Sequence, residues 1–268
     1  MTAHETLLTR LEKGVLYITL NRPHLRNAMN QAMVEELLSI FEGIAENRKV
    51  RAVVLCGAEG NFCSGGDIKD MAGLLVDSPD GQALAAKANR RFGDLICAVD
   101  RAPQATICVI EGVALGGGFG LVCVSDIAFA HTGARFGLPE TGLGIPPAQI
   151  APFVVRRIGL TQARRLAVLG SRFDGKKALG LGLVHDLFAS ESEAQELVNA
   201  TLAEIRRCGP QANAITKQLM LDVGRCPIEE LLDRAATDFA ACIRGPEGRE
   251  GTSAFREKRI PAWAREEQ

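Results

Sequence analysis

Glu140 heads the residues whose type and setting could do chemistry. It lies in RFGLPETGLG (135–144), directly after a proline and among apolar neighbours, with no basic residue closer than five positions. A carboxylate in such a setting has its pKa raised by desolvation and can move protons near neutral pH. A solvated loop glutamate is the alternative reading of the same residue. Ser64, Cys63 and Cys123 carry nucleophilic atoms, but no histidine or second acid stands at a spacing that would activate them. His4, His24, His131 and His185 are scattered, and the eight cysteines form no C-x-x-C pair, so no metal site is expected. Cys56, Cys97, Cys108, Cys123 and Cys242 lie in apolar runs and read as small buried hydrophobes.

Two glycine-rich loops suggest a second kind of chemistry. AVVLC (52–56) runs into GAEGNFCSGGDIKDM (57–71), and ATICVI (105–110) runs into EGVALGGGFGLVCV (111–124). Each reads as a buried strand, a glycine-dense turn and the start of a helix. Backbone N–H groups at a helix start lack partners and carry partial positive charge. Two such loops could aim two N–H groups at one oxygen. That oxyanion hole would contribute roughly 3–4 kcal/mol per donor as charge develops. Tight packing with no ligand explains the same glycines equally well. Nucleotide motifs do not fit: Gly116–Gly120 lacks the spacing of the dinucleotide fingerprint. Gly170–Lys177 ends in lysine where a phosphate-binding loop needs Ser or Thr.

The elements that must hold these loops can be read from periodicity. Thr6–Leu11 and Val15–Leu20, split by Glu12-Lys13-Gly14, predict a hairpin. Asn30 reads as an N-cap, with Met33, Val34, Leu37, Leu38, Phe41, Ile44 and Ala45 following at helical spacing. Ala83–Val99 is helical; Ala52–Cys56, Ala105–Ile110 and Asp126–Ala130 are strands; Val184–Phe188 is a further strand candidate. Thr161 and Asp174 are expected caps. Segments near 191–207, 211–223, 227–243 and 247–258 are amphipathic. Strands of continuous hydrophobicity alternating with helices argue α/β. The division expected is a sheet-bearing core over 1–190 and a helical appendage over 191–268, whose apolar stripes favour oligomerisation.

Composition narrows the function. Lys plus Arg is 31 against 32 for Asp plus Glu, a net charge of −1. No basic patch forms, and the first long helix carries Glu35, Glu36, Glu42 and Glu46, so nucleic acid is not an expected partner. No stretch is long and apolar enough to cross a bilayer, and the start (MTAHETLLTRLEKG) lacks the apolar core of a signal peptide, so a cytoplasmic protein is expected. Glycine is in excess, 28 of 268 residues, which suggests backbone in close approach to something.

Taken in order, LNRPHLRNAMN (20–30), GNFCSGGDIKDM (60–71), EGVALGGGFGLVCVSDIAFA (111–130), RFGLPETGLGIPP (135–147) and EGTSAFREKR (250–259) resemble the crotonase, or enoyl-CoA hydratase/isomerase, superfamily over essentially the whole chain. The resemblance implies a spiral of ββα turns with two roughly perpendicular sheets and a C-terminal helical region used in forming trimers or dimers of trimers. It implies an acyl-CoA thioester as substrate, and no cofactor beyond the coenzyme A that the substrate carries. On this pattern the N–H groups of Gly66 and Gly117 form the oxyanion hole. Ser64, Asp67, Ile68 and Lys69 line the adenine end of the coenzyme pocket, flanked by Arg26 and Ala28. Phe239 and Lys258 reach a neighbouring subunit's coenzyme.

One departure bears on the reaction. Hydratases of this family hold water between two glutamates; the second matches Glu140, and the first falls on Gly120. A single acid suits a Δ3,Δ2-enoyl-CoA isomerase, which needs one proton shuttle. In the other direction, Ala148-Gln149-Ile150-Ala151-Pro152 replaces the family's commoner glycine run and is similar to the glutaconyl-CoA hydratase branch, in particular isohexenylglutaconyl-CoA hydratases of acyclic terpene breakdown. The missing side chain at Gly120 is expected to open space for a branched acyl group.

Overall fold

The computed structural model describes residues 4–73 and 80–265. The chain opens with the expected hairpin, β1 (Leu7–Glu12) and β2 (Val15–Leu20), turned at Lys13 and Gly14. Asn30 caps α1 (Gln31–Ile44), its Oδ1 accepting the N–H of Met33 at 3.0 Å. Met33, Val34, Leu37, Leu38 and Phe41 form the buried face of that helix. Then come β3 (Ala52–Gly57), α2 (Ile68–Gly73), α3 (Gly81–Arg101), β4 (Ala105–Ile110), β5 (Val113–Leu115), α4 (Gly117–Val124), β6 (Ile127–His131) and β7 (Arg135–Gly137). A 3₁₀ turn at Glu140–Leu143 leads to α5 (Ala151–Ile158), α6 (Leu160–Leu169), β8 (Arg172–Asp174), α7 (Gly175–Gly180) and β9 (Asp186–Phe188). Four helices finish the chain: α8 (Glu191–Arg207), α9 (Pro210–Asp222), α10 (Ile228–Arg244) and α11 (Pro246–Arg256).

The first sheet has six strands in the order β1-β2-β3-β4-β6-β9, and every pairing after the hairpin is parallel. A second sheet has the order β5-β7-β8. This is the α/β class expected from the sequence. The continuous hydrophobicity of β3 and β4 has a direct cause: both faces of the large sheet are covered. One face packs with Leu37, Leu95, Ile96, Phe119 and Leu121 in the main core. On the other, Val15, Val54, Ile107, Phe129 and Phe188 meet Ala194, Val198, Leu202 and Ile205 of α8.

Asp174 caps α7 through the N–H of Lys177, as expected. Thr161 does not cap α6. Gly159, at φ +76°, separates α5 from α6, so the helix begins at Leu160 and Thr161 already lies inside it. Beyond α8 the helices leave apolar side chains uncovered in the single chain: Met220, Val223, Ile228, Leu232, Phe239 and Phe255 are each more than half exposed. Lys217 ties α9 to the core, its Nζ 2.7 Å from Asp126 Oδ2.

Candidate active site

Strand pairing brings the glutamate and one glycine loop together. β5 runs parallel to β7 with Leu115 opposite Gly137, and the N–H of Gly116 donates to the Gly137 carbonyl at 3.1 Å. Three residues beyond Gly137, Glu140 opens its 3₁₀ turn, anchored when the Thr141 hydroxyl donates to the Ala167 carbonyl of α6 at 2.9 Å. A Cβ added at Gly116 would stand 2.9 Å from Glu140 Oε1, so the carboxyl rests on the bare glycine backbone. Glu140 Oε2 is buried without a hydrogen-bond partner among the described residues. Burial therefore pushes the Glu140 pKa above the usual carboxylate range, offset only in part by a hydrogen bond from its own backbone. The sequence expectation of a desolvated acid holds, and the solvated-loop alternative does not.

The other loop lies against the first. The Cys63 N–H donates to the Val113 carbonyl at 2.8 Å, and the Leu115 N–H returns to the Cys63 carbonyl at 2.9 Å. Gly65 at φ +102° and Gly116 at φ +50° hold the two turns in backbone conformations that side chains rarely adopt, and a Cβ on Gly116 would reach within 3.7 Å of Gly65 Cα. The following residues, Gly66 and Gly117, begin the approach to α2 and α4. Among the described residues neither N–H is taken by a protein acceptor. Two free donors and a desolvated carboxyl around paired loops can polarise a carbonyl oxygen and move a proton beside it. Cys63 and Cys123 are unsuited to nucleophilic work: burial pushes each thiol up to about 12. No cluster able to hold a metal occurs among the described residues.

Comparison with known proteins gives the family. The family model for enoyl-CoA hydratase/isomerase matches residues 10–266. The chain belongs to the enoyl-CoA hydratase/isomerase family. Among solved structures it is similar to Pseudomonas aeruginosa AtuE, with 54% identity, TM-score 0.94 and coverage of 97% of this chain and 100% of that one. An enoyl-CoA hydratase/isomerase from Marinobacter aquaeolei shares 51% identity at TM-score 0.93, over 97% and 100% of the two chains. Among curated relatives, the 2,3-dehydroadipyl-CoA hydratase of Escherichia coli (strain K12) is 29% identical across 95% of this chain and 97% of its own.

Most of the coenzyme-side residues expected from the resemblance fall along one seam. Residues 25–29 run beside 64–67: the Ser64 N–H donates to the Arg26 carbonyl, the Ser64 hydroxyl to the Leu25 carbonyl, and Met29 bridges Gly66. Arg26, Ile68 and Lys69 are exposed along this seam, and Ala28 is buried beneath it. Asp67 is buried and salt-bridged to Arg22 at 2.8 Å, and it also accepts the Lys69 N–H. Arg22 and Lys69 hold its carboxyl below the usual range against the opposing effect of burial. Phe239 and Lys258 are exposed in the single chain, on α10 and just beyond α11.

Reading the sequence missed Arg22 and Asn27. Asn27 is fully buried at φ +56°, and its Nδ2 donates to the carbonyls of Ala58 and Asn61 at 3.0 and 2.6 Å. The Arg22–Asp67 pair fastens the seam, and Asn27 ties residues 25–29 to the turn at 58–61. An Asn among larger residues, in a motif with a proline, was the available signal, because Asn tolerates positive φ.

Gly120 does not open a pocket. A Cβ there would overlap Cγ2 of Ile150 and stand 3.4 Å from Ile96 Cδ1, and Ile150 is itself 2% exposed. The space of the absent side chain is filled from the segment that follows Glu140. A cavity of about 380 Å³ lined by Val113, Leu115, Arg135, Arg172 and Phe173 lies on the small sheet and includes neither Glu140 nor the two donor glycines.

Proposed function

We propose that this enzyme adds water to the double bond of a branched glutaconyl-type enoyl-CoA, isohexenylglutaconyl-CoA or a close relative, in acyclic terpene or branched-chain breakdown. The observation that carries the reading is the partnerless, desolvated carboxyl of Glu140 resting between two loops with free N–H donors. In this reading Gly66 and Gly117 donate to the thioester oxygen and stabilise the enolate. Glu140 takes a proton from water as the oxygen bonds to the β-carbon, then delivers it to the α-carbon and returns to the carboxylate. Ser64, Asp67, Ile68, Lys69, Arg26 and Ala28 form the coenzyme side of the cleft. No cofactor is needed beyond the coenzyme A of the substrate. The uncovered apolar tail supports a homotrimer, or a dimer of trimers, in which Phe239 and Lys258 meet a neighbour's coenzyme. We place the enzyme in the cytoplasm; no helix among the described residues is long and apolar enough to cross a membrane.

The absence of a carboxylate at Gly120 favours a second reading, a Δ3,Δ2-enoyl-CoA isomerase in which Glu140 alone shuttles a proton. A panel of enoyl thioesters incubated in heavy-oxygen water separates the two. Hydration predicts label in a hydroxyacyl product, with preference for branched, carboxylate-bearing chains; a shifted double bond without label establishes the isomerase instead.

A further inference from the structure

Gly93 on α3 is buried, and the atom nearest to where its Cβ would stand is Oε1 of Gln149, close enough to overlap. Gln149 comes from the Ala148–Pro152 stretch that sets this chain apart from the family's glycine run. Its Nε2 donates to Asn89 Oδ1 at 2.8 Å on the solvent side of α3, and Oε1, which accepts no hydrogen bond from the described residues, shares the space over Gly93 with Arg90 Nη1. The surroundings locate that oxygen. Phe92, one residue before Gly93, has its Cζ 3.0 Å from where a Cβ on Gly117 would stand. Ile96, three residues after Gly93, borders Gly120 together with Ile150. Gly117 and Gly120 lie three apart on α4 and so share one helix face, opposite Phe92 and Ile96. The Gln149 carboxamide therefore lies beside the face of α3 that carries Phe92 and Ile96 towards the first turn of α4, and the neighbouring Ile150 fills the space at Gly120.

We infer that Gln149 is the water-positioning residue of this enzyme. Its Oε1 accepts one hydrogen of the water whose other hydrogen goes to Glu140, so a carboxamide from the segment after Glu140 replaces the carboxylate absent from α4. This rests on the hydratase reading above. It also explains two glycines at once: Gly93 admits the carboxamide, and Gly120 admits Ile150.

The test measures hydration kcat and thioester KM for the wild type and three variants. Gln149→Leu removes the acceptor and is expected to lower kcat roughly tenfold to a hundredfold, the effect of one hydrogen bond, with KM nearly unchanged. Gln149→Glu keeps an acceptor oxygen and should recover most of that loss. Gly93→Ala, which displaces the carboxamide without altering it, should lower kcat as Gln149→Leu does, and it serves if the leucine variant fails to fold. A merely structural tie to Asn89 would instead lower thermal stability or raise KM in all three. Wild-type kcat in Gln149→Leu or Gly93→Ala, or no recovery in Gln149→Glu, overturns the inference alone. Absence of labelled product from the wild type overturns the hydratase reading, and this inference with it, before any variant is made.

Discussion

The Glu140 carboxyl binds its proton more tightly in the fold than in the unfolded chain, because burial raises its pKa and Oε2 has no partner. Stability and turnover then respond to pH in opposite directions. As pH climbs from the ordinary carboxylate value of about 4.3, the folded state keeps a proton that the unfolded chain has lost, so stability falls until the raised pKa is passed. Glu140→Gln removes that cost. It should melt above the wild type at neutral pH, and the gap should close in acid below the ordinary carboxylate pKa. Turnover needs the carboxylate and should rise with pH, with a midpoint above the ordinary range. Glu140→Gln should lower kcat by about two to four orders of magnitude while coenzyme binding stays nearly intact. Retained turnover would remove Glu140 from the mechanism.

Two loops and one helix start depend on backbone packing closely. A Cβ at Gly118 would stand 2.7 Å from both the Cβ and the carbonyl oxygen of Cys63, neither of which can swing aside. Gly118→Ala should therefore cost about 1–3 kcal/mol by overpacking and disturb the backbone pairing of Cys63 with Val113 and Leu115. Gly142, in the turn after Glu140, has nothing within 4 Å of the same position. Gly142→Ala should change stability by less than about 1 kcal/mol. Urea unfolding of the two variants checks the contrast; equal effects would mean that the loops are not held by this contact.

The C-terminal helices present a different face to solvent from the rest of the chain. α8 is part of the layer behind the large sheet, whereas α10 packs against α9 and α11 and leaves Ile228, Leu232, Phe239 and Ile243 uncovered. The positions are spaced by four, seven and four residues, one stripe along a helix. If a second copy covers that stripe, Ile228→Asp with Leu232→Asp should lower the mass seen by light scattering from trimer or hexamer to monomer, with helix content preserved. An unchanged mass would move the subunit interface elsewhere.

Local information settled much of this protein in advance. The hairpin, the Asn30 and Asp174 caps, the buried strands and the four terminal helices follow from periods and capping residues a few positions apart, and the isolated acid at 140 follows from its immediate neighbours. The contacts that hold these segments together join residues distant in sequence. Arg22 meets Asp67 across 45 positions, and Gln149 meets Asn89 across 60. Gly120 is the plainest case, since composition makes it an empty space and the fold fills it with Ile150. Such contacts are set by how parallel crossovers stack their helices over the sheet. No spacing along the chain encodes which side chain arrives from the next crossover, so the partner of Gly120 was decided only when α3, α4 and the segment after Glu140 packed together.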